Sequence, residues 1–232
     1  MERVDLSPEA SVPCDRLYAL ALANTEFDPE NPQFLRKIHF LMLMRDEQLA
    51  LLDTEFIEDG HRLIIRKAGV QLLNASLLSR EGREEVAVFF ENFMGAKLKG
   101  RPRVVTAEGH MFADVSKQNL SMINLDSVRD LESKTGLSID PNRFRGNLIV
   151  EGLGAWKEFD LVGQSIEIGE VTFAVTKRID RCAATNVNLE TAERDMNIPL
   201  QIRKNYGHID CGVYVDVIKG GTLTVGDTIQ AL

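Results

Sequence analysis

Cys182 follows three basic residues, Lys177, Arg178 and Arg181, within the stretch from Lys177 to Tyr214. Positive charge beside a thiol favours its thiolate, the form that attacks electrophiles and binds soft metals. The same residue types also describe a small buried side chain beside surface arginines. Cys14 and Cys211 lie far from Cys182, and three such cysteines suit neither a disulfide scaffold nor a four-ligand zinc site. Unbridged thiols are expected. Cys14, Cys211 and the loop residue His208 read as structural, and no Gly-rich phosphate loop, zinc motif or Ser-His-Asp arrangement stands out.

A second polar group sits in Phe144-Arg145-Gly146-Asn147. Read as a strand, its period of two puts Arg145 and Asn147 on one face and Phe144 and Leu148 on the other. A guanidinium beside a carboxamide can hold a phosphate or a heterocycle edge, because Arg offers a rigid fork of donors and Asn offers both donor and acceptor. An ordinary exposed strand face would have the same composition. Asn186, four residues past Cys182, is either a turn former or a hydrogen bonder supporting the cysteine. Arg16, taken alone, reads as a surface residue paired with Asp15 or Asp28.

The elements that must carry these residues are mostly strands. Leu17 to Ala23 reads as a strand entered through a turn, and Ile38 to Met44 as another. Leu49 to Phe56 and His61 to Lys67 flank Glu58-Asp59-Gly60 as a hairpin. From Arg80 to Met94 the period changes: Val86, Phe89, Phe90 and Phe93 among glutamates predict an amphipathic helix closed by Gly95. A strand at Val104-Val105 and a polar break at Ser116 to Asn119 precede a short helix from Asp126 to Lys134, stopped by Gly136. Strands follow at Arg145 to Val150, Ser165 to Ile168, Val171 to Lys177, Gly212 to Ile218 and Thr222 to Val225, with one helix from Pro199 to Tyr206 capped by Gly207.

Arg181-Cys182-Ala183-Ala184-Thr185-Asn186-Val187-Asn188, Tyr206-Gly207-His208 and Asp210-Cys211-Gly212-Val213-Tyr214 together resemble the signature of the MOSC family, domains related to the C-terminal part of molybdenum cofactor sulfurase. The likeness extends to Phe144-Arg145-Gly146-Asn147 and to Val12-Pro13-Cys14-Asp15-Arg16, and its best understood members are amidoxime-reducing molybdoenzymes. It implies a mostly β (α+β) fold: a β-barrel with peripheral helices over residues 101–232, preceded by a smaller β-rich region over 1–100. It also implies a molybdenum cofactor (molybdopterin), with Cys182 as the molybdenum ligand and catalytic residue. Arg16, Arg145, Asn147, Arg181 and Asn186 would then be cofactor-binding. Arg181 and Cys182 are adjacent, so both can reach a ligand only if the strand ends or bends there.

The implied activity is reduction of small N-oxygenated compounds, such as hydroxylamines or amidoximes, with electrons from an external reductase. The alternative is a sulfur carrier or cofactor-delivery module with a persulfide on Cys182. The chain departs from its relatives at Met1-Glu2-Arg3-Val4, where they carry a lysine motif, and it lacks the pyridoxal phosphate-bearing part of full sulfurases. A net charge of -8 and a pI near 5.1 argue against nucleic acid or an anionic membrane as the main partner. With no signal-peptide pattern in MERVDLSPEA and no membrane-length apolar run, a cytoplasmic protein is expected.

Overall fold

The computed structural model describes residues 2–8, 10–114 and 119–232. In chain order the strands are β1 (Arg3–Leu6), β2 (Ala19–Ala21), β3 (Asp53–Ile57), β4 (Arg62–Lys67), β5 (Val70–Ser76), β6 (Arg103–Val105), β7 (Leu120–Asn124), β8 (Leu148–Val150), β9 (Ser165–Ile168), β10 (Val171–Asp180), β11 (Asp210–Lys219), β12 (Gly221–Thr224) and β13 (Ile229–Ala231). The α-helices are α1 (Arg80–Met94), α2 (Leu125–Thr135) and α3 (Ile198–Tyr206). None of the described helices is long and apolar enough to cross a membrane.

The chain divides into two compact units. One comprises Arg16–Ser116 with Glu190–Glu193, and the other Met1–Asp15, Lys117–Leu189 and Arg194–Leu232. The first fifteen residues thus belong with the C-terminal unit. Ser116 to Gln118, most of the polar break expected there, lie outside the described residues.

In the unit from Arg16 to Ser116, β3, β4 and β5 form an antiparallel sheet and β2 pairs with β6. The hairpin expected around Gly60 is present, turning through a positive φ of 72° at that glycine. The helix expected over Arg80 to Met94 is α1. Ser79 Oγ caps it by accepting from the Gly82 N–H at 2.9 Å, and Val86, Ala87, Phe90 and Met94 are buried along one stripe. Ile38 to Met44 is not the expected strand. Lys37–His39 form a 3-10 turn, and only Phe40 makes an isolated bridge, to Ala21. An apolar run this short has no helix or strand period to choose by, and here tertiary packing around Phe40 decides.

In the other unit a six-stranded sheet, ordered β13-β9-β10-β11-β7-β8, curls into half a barrel. Its pairs are antiparallel except β7 with β8. The concave core takes alternate residues, as period two requires: Leu120 and Met122 of β7, Phe173 and Val175 of β10, Val213, Val215 and Val217 of β11. Helices α2 and α3 pack Val128, Leu131, Ile198 and Ile202 around Ile123, Phe144 and Cys211 in a second cluster. The fold is mostly β with peripheral helices, as expected. One local expectation fails: β8 starts only at Leu148, because Pro141–Phe144 form a 3-10 turn that ends with Arg145 in the left-handed region.

Candidate functional site

Strand β10 ends at Asp180, and Cys182 caps a 3-10 turn over Ala183–Asn186. Arg181 and Cys182 therefore leave the strand geometry that would have sent them to opposite faces. Cys182 is a partly exposed thiol, and its carbonyl accepts from Thr185 Oγ1 at 2.9 Å. Cys211, in contrast, is fully buried in the helix-side cluster, and burial pushes its thiol up to about 12. The two cysteines are thus sorted by exposure: one can meet a ligand, the other cannot.

The turn after Cys182 is built by borrowed donors. Arg194 Nη1 donates to the Ala183 carbonyl at 3.0 Å, and Arg143 Nη1 to the Asn186 carbonyl at 3.3 Å. Asn186 Oδ1 accepts the Ile198 N–H at the start of α3 at 3.0 Å, so Asn186 is buried and joins the turn to that helix. Arg143 makes a two-pronged ion pair with Asp195, both contacts at 2.8 Å, and Asn188 Nδ2 adds a third bond to that carboxylate at 2.8 Å. The Arg143 guanidinium, with help from Asn188, holds the Asp195 carboxyl below the usual carboxylate range, against the opposing effect of burial.

Arg181 is buried, and its guanidinium points into the protein. It donates to the Cys211 carbonyl from Nε at 2.7 Å and also from Nη2, and from Nη1 to the Phe144 carbonyl at 3.0 Å. Burial lowers its pKa. The two 3-10 turns are thus tied by arginines running in opposite directions, Arg143 to Asn186 and Arg181 to Phe144. The residues immediately following the second tie are Cys182 on one side and Arg145 on the other.

Arg145 and Asn147 do not share a strand face, since neither is in a strand. Arg145 is exposed with φ 52°, a conformation that costs a non-glycine residue about 1 kcal/mol. Strain of this kind persists where surrounding contacts over-determine it, and it clusters at functional sites. Asn147 provides such contacts: Oδ1 accepts from Ser121 N at 3.0 Å and from Ser121 Oγ at 2.8 Å, and Nδ2 donates to Asp15 Oδ2 at 3.1 Å. Arg16 opens the other unit, also at positive φ (55°), and its carbonyl accepts from Phe112 N at 2.9 Å.

Sequence reading missed Arg143, Asp195 and Ser121. Arg143 and Asp195 are 52 residues apart, and no periodic pattern links them. The available signal was weak: an arginine two residues before Arg145, next to a proline-led turn.

Arg143→Ala should destabilise the protein by about 3 kcal/mol, the low end for breaking a buried pair, since Asp195 retains some access to water. Arg143→Lys should recover only part, because a point charge cannot reproduce the fork. Urea unfolding across pH adds a sign. A depressed carboxyl stabilises the fold above its unfolded pKa, and that contribution is lost as pH falls through the folded value. Wild type should therefore lose stability on acidification more steeply than Arg143→Ala, and equal slopes would contradict the role given to the pair.

The chain is similar to several known proteins. Molybdenum cofactor sulfurase of Drosophila ananassae is 30% identical over 120 residues, covering 50% of this chain and 15% of that protein. Mitochondrial amidoxime reducing component 2 of Rattus norvegicus is 25% identical over 192 residues, covering 70% of this chain and 56% of that protein. The chain therefore spans only a small part of the sulfurase and little more than half of the amidoxime reducing component. Among solved structures, the YuaD protein of Bacillus subtilis aligns with 99% of this chain and 84% of its own at 13% identity and a TM-score of 0.43. The MOSC domain model matches residues 78–230, more than half of the chain, and the chain belongs to the MOSC domain family.

Proposed function

We propose that the protein is a molybdenum-cofactor-binding oxidoreductase that reduces N-oxygenated compounds of the hydroxylamine or amidoxime type, with electrons delivered by a separate reductase. The observation that supports this reading is the hydrogen bond from Arg181 to the Phe144 carbonyl, which ties the residue before Cys182, a partly exposed thiol, to the residue before Arg145, an exposed side chain on a positive-φ backbone. It is supported by membership of the MOSC family and by relatives named amidoxime reducing component.

The donor set fits the group. A single thiolate offers one soft ligand, so a metal held by Cys182 must bring its other ligands with it, as molybdenum bound to a pterin dithiolene does. When bound, the metal supplies two-electron oxygen-atom chemistry. The chain's own residues do the rest. Arg145 supplies permanent donors to the pterin and its phosphate. Asn147 holds the Arg145 turn against β7, while Arg181 and Asn186 hold the Cys182 turn from inside.

Several relatives are named molybdenum cofactor sulfurase, which favours a second reading in which Cys182 carries a persulfide and turns over no substrate. Elemental analysis of protein made in cofactor-producing cells separates the two. About one molybdenum per protomer, with hydroxylamine reduction on adding a reductase, supports the enzyme; labile sulfur on Cys182 without metal supports the carrier.

Arg145→Ala extends the test to the second residue. Cofactor affinity should fall roughly tenfold to a hundredfold, as expected for losing a charge-assisted hydrogen bond. Arg145→Lys should restore only part. Stability of the cofactor-free protein should barely change, because the side chain is exposed. Unfolding of the apo-protein, or undiminished molybdenum retention, would remove Arg145 from the site.

A further inference from the structure

His208 opens the segment that holds Arg181, and its ring takes part in that hold. The segment lies between two glycines in the left-handed region, Gly207 and Gly212, each at φ 80°. Within it the Ile209 carbonyl accepts the Arg181 N–H at 3.0 Å, and the Cys211 carbonyl accepts from Arg181 Nε at 2.7 Å. Asp210 pairs with Asp180 just past a register break between Arg178 and Asp180, so a single rung closes this end of the β10–β11 ladder. Cys182 follows directly after the residue held in this way. Across the same segment His208 Nδ1 accepts the Asp210 N–H at 3.1 Å. A backbone N–H can only donate, so this bond requires Nδ1 without a proton.

The imidazole is half-buried and walled by aromatic rings. Trp156 and Phe159 meet it edge-on, with centroids 5.7 and 5.5 Å away, and Tyr206 stacks beside it at 6.1 Å. The charged groups behind these rings are already engaged. Asp130 of α2 accepts from Tyr206 Oη at 2.6 Å and from Trp156 Nε1 at 2.8 Å, and the Arg178 guanidinium of β10 lies 4.2 Å from the Phe159 centroid. Glu158 is fully buried and accepts from Ser127 Oγ and Asn124 Nδ2, both at 2.8 Å, while Lys157 donates to Asp160 at 2.9 Å. On β11 the Cys211 thiol, pushed up to about 12, stays protonated. Among the described residues no carboxylate, that of Asp210 included, bonds the imidazole, and its hydrogen-bond partner is the Asp210 N–H.

We propose that His208 is a positioning residue for Cys182 whose hold depends on protonation. When Nδ1 gains a proton, an acceptor becomes a donor facing the Asp210 N–H, and the bond is lost. The segment can then turn at Gly207 and Gly212, and the Ile209 and Cys211 carbonyls loosen their grip on Arg181. The Cys182 turn is thus firmly held at neutral pH and released in acid. The hold on the turn is a property of the chain alone; its consequence, weaker retention of molybdenum in acid, rests on the cofactor reading above. The rival explanation is a local turn contact that does not reach Arg181.

The test compares wild type, His208→Asn and His208→Ala as cofactor-free full chains from about pH 5 to about pH 8, the range in which a histidine changes charge. Hydrogen exchange of the Arg181 amide reports the hold, and the His208 Cε1 proton resonance reports the titration. Asparagine keeps an acceptor for the N–H two residues on and cannot titrate, whereas alanine has no acceptor. Dividing the wild-type exchange rate by the His208→Asn rate at each pH removes the intrinsic pH dependence of exchange. The ratio should be near one at the alkaline end and rise roughly tenfold at the acid end, as the loss of one part-buried hydrogen bond implies, with the midpoint of the His208 resonance. His208→Ala should exchange roughly tenfold faster than His208→Asn throughout. A ratio that stays flat across the range, or alanine and asparagine variants that exchange alike, overturns the proposal. Metal content keeps the two readings apart. Molybdenum-loaded wild type should shed metal in acid several-fold faster than loaded His208→Asn. The expected exchange pattern in a chain that takes up no molybdenum removes the cofactor reading alone, and a flat exchange ratio in a chain that retains molybdenum removes the role of His208 alone.

Discussion

Cys182→Ser is expected to eliminate molybdenum retention and cofactor-dependent reduction of N-hydroxylated substrates while leaving the fold intact. Serine keeps the volume but replaces a soft, ionisable sulfur by a hard hydroxyl that stays protonated at neutral pH. Cys182 is partly exposed, and its main-chain carbonyl, rather than its side chain, receives the Thr185 bonds, so the turn survives. Stability should change by no more than about 0.5 kcal/mol. Cys211→Ser should do the opposite. Its sulfur lies at 0% exposure among Ile123, Leu131 and Ile202, where a hydroxyl costs about 1–3 kcal/mol, yet the metal should be kept. Metal analysis and melting curves on the two variants give a crossed pattern. Equal metal loss in both, or none in either, would sink Cys182 as the special sulfur.

That contrast was partly legible in the sequence. Helices α1, α2 and α3 could be read because their ends carry strong local chemistry: Ser79, Asn124 and Asn197 cap the starts, and Gly95, Gly136 and Gly207 close them at positive φ. Strands β9 to β12 could be read from alternation between glycines. Cys182 stood out by residue type. Arg145 was found for the wrong geometric reason, since the local preference of Pro141 for a turn overrode the apparent strand period. Arg181 shows the other limit. An arginine beside a cysteine reads as a surface cation, and nothing local announces that its guanidinium will satisfy the carbonyls of Cys211 and Phe144, which are 30 and 37 residues away. Long-range pairs such as Arg143 with Asp195 exist only once the sheet has brought the turns together.

The glycine that lets the sheet do so carries the other large prediction. Gly212 sits inside β11 with φ 80°, near the register break where β10 passes from Arg178 to Asp180. A Cβ there would lie 2.4 Å from the Met122 carbonyl oxygen, 2.8 Å from Ile123 Cδ1 and 3.1 Å from Arg181 Nη2. The first of these is backbone in the neighbouring strand and cannot swing aside. Gly212→Ala must therefore push β7 from β11 and disturb the guanidinium that ties Cys182 to the Phe144 turn. Left-handed strain alone costs about 1 kcal/mol, and overpacking adds about 1–3 kcal/mol. At about 2–4 °C per kcal/mol for a chain of this size, the melting temperature should fall by roughly 4–16 °C. Gly207→Ala is the control, because Gly207 has the same φ of 80° with nothing within 4 Å of its Cβ position. It should lose only the strain, about 1 kcal/mol. Metal retention should fall in Gly212→Ala and hold in Gly207→Ala. If the two alanine variants melt together, the close approach of β7 to β11 is not what Gly212 serves, and the route from that glycine through Arg181 to Cys182 is broken.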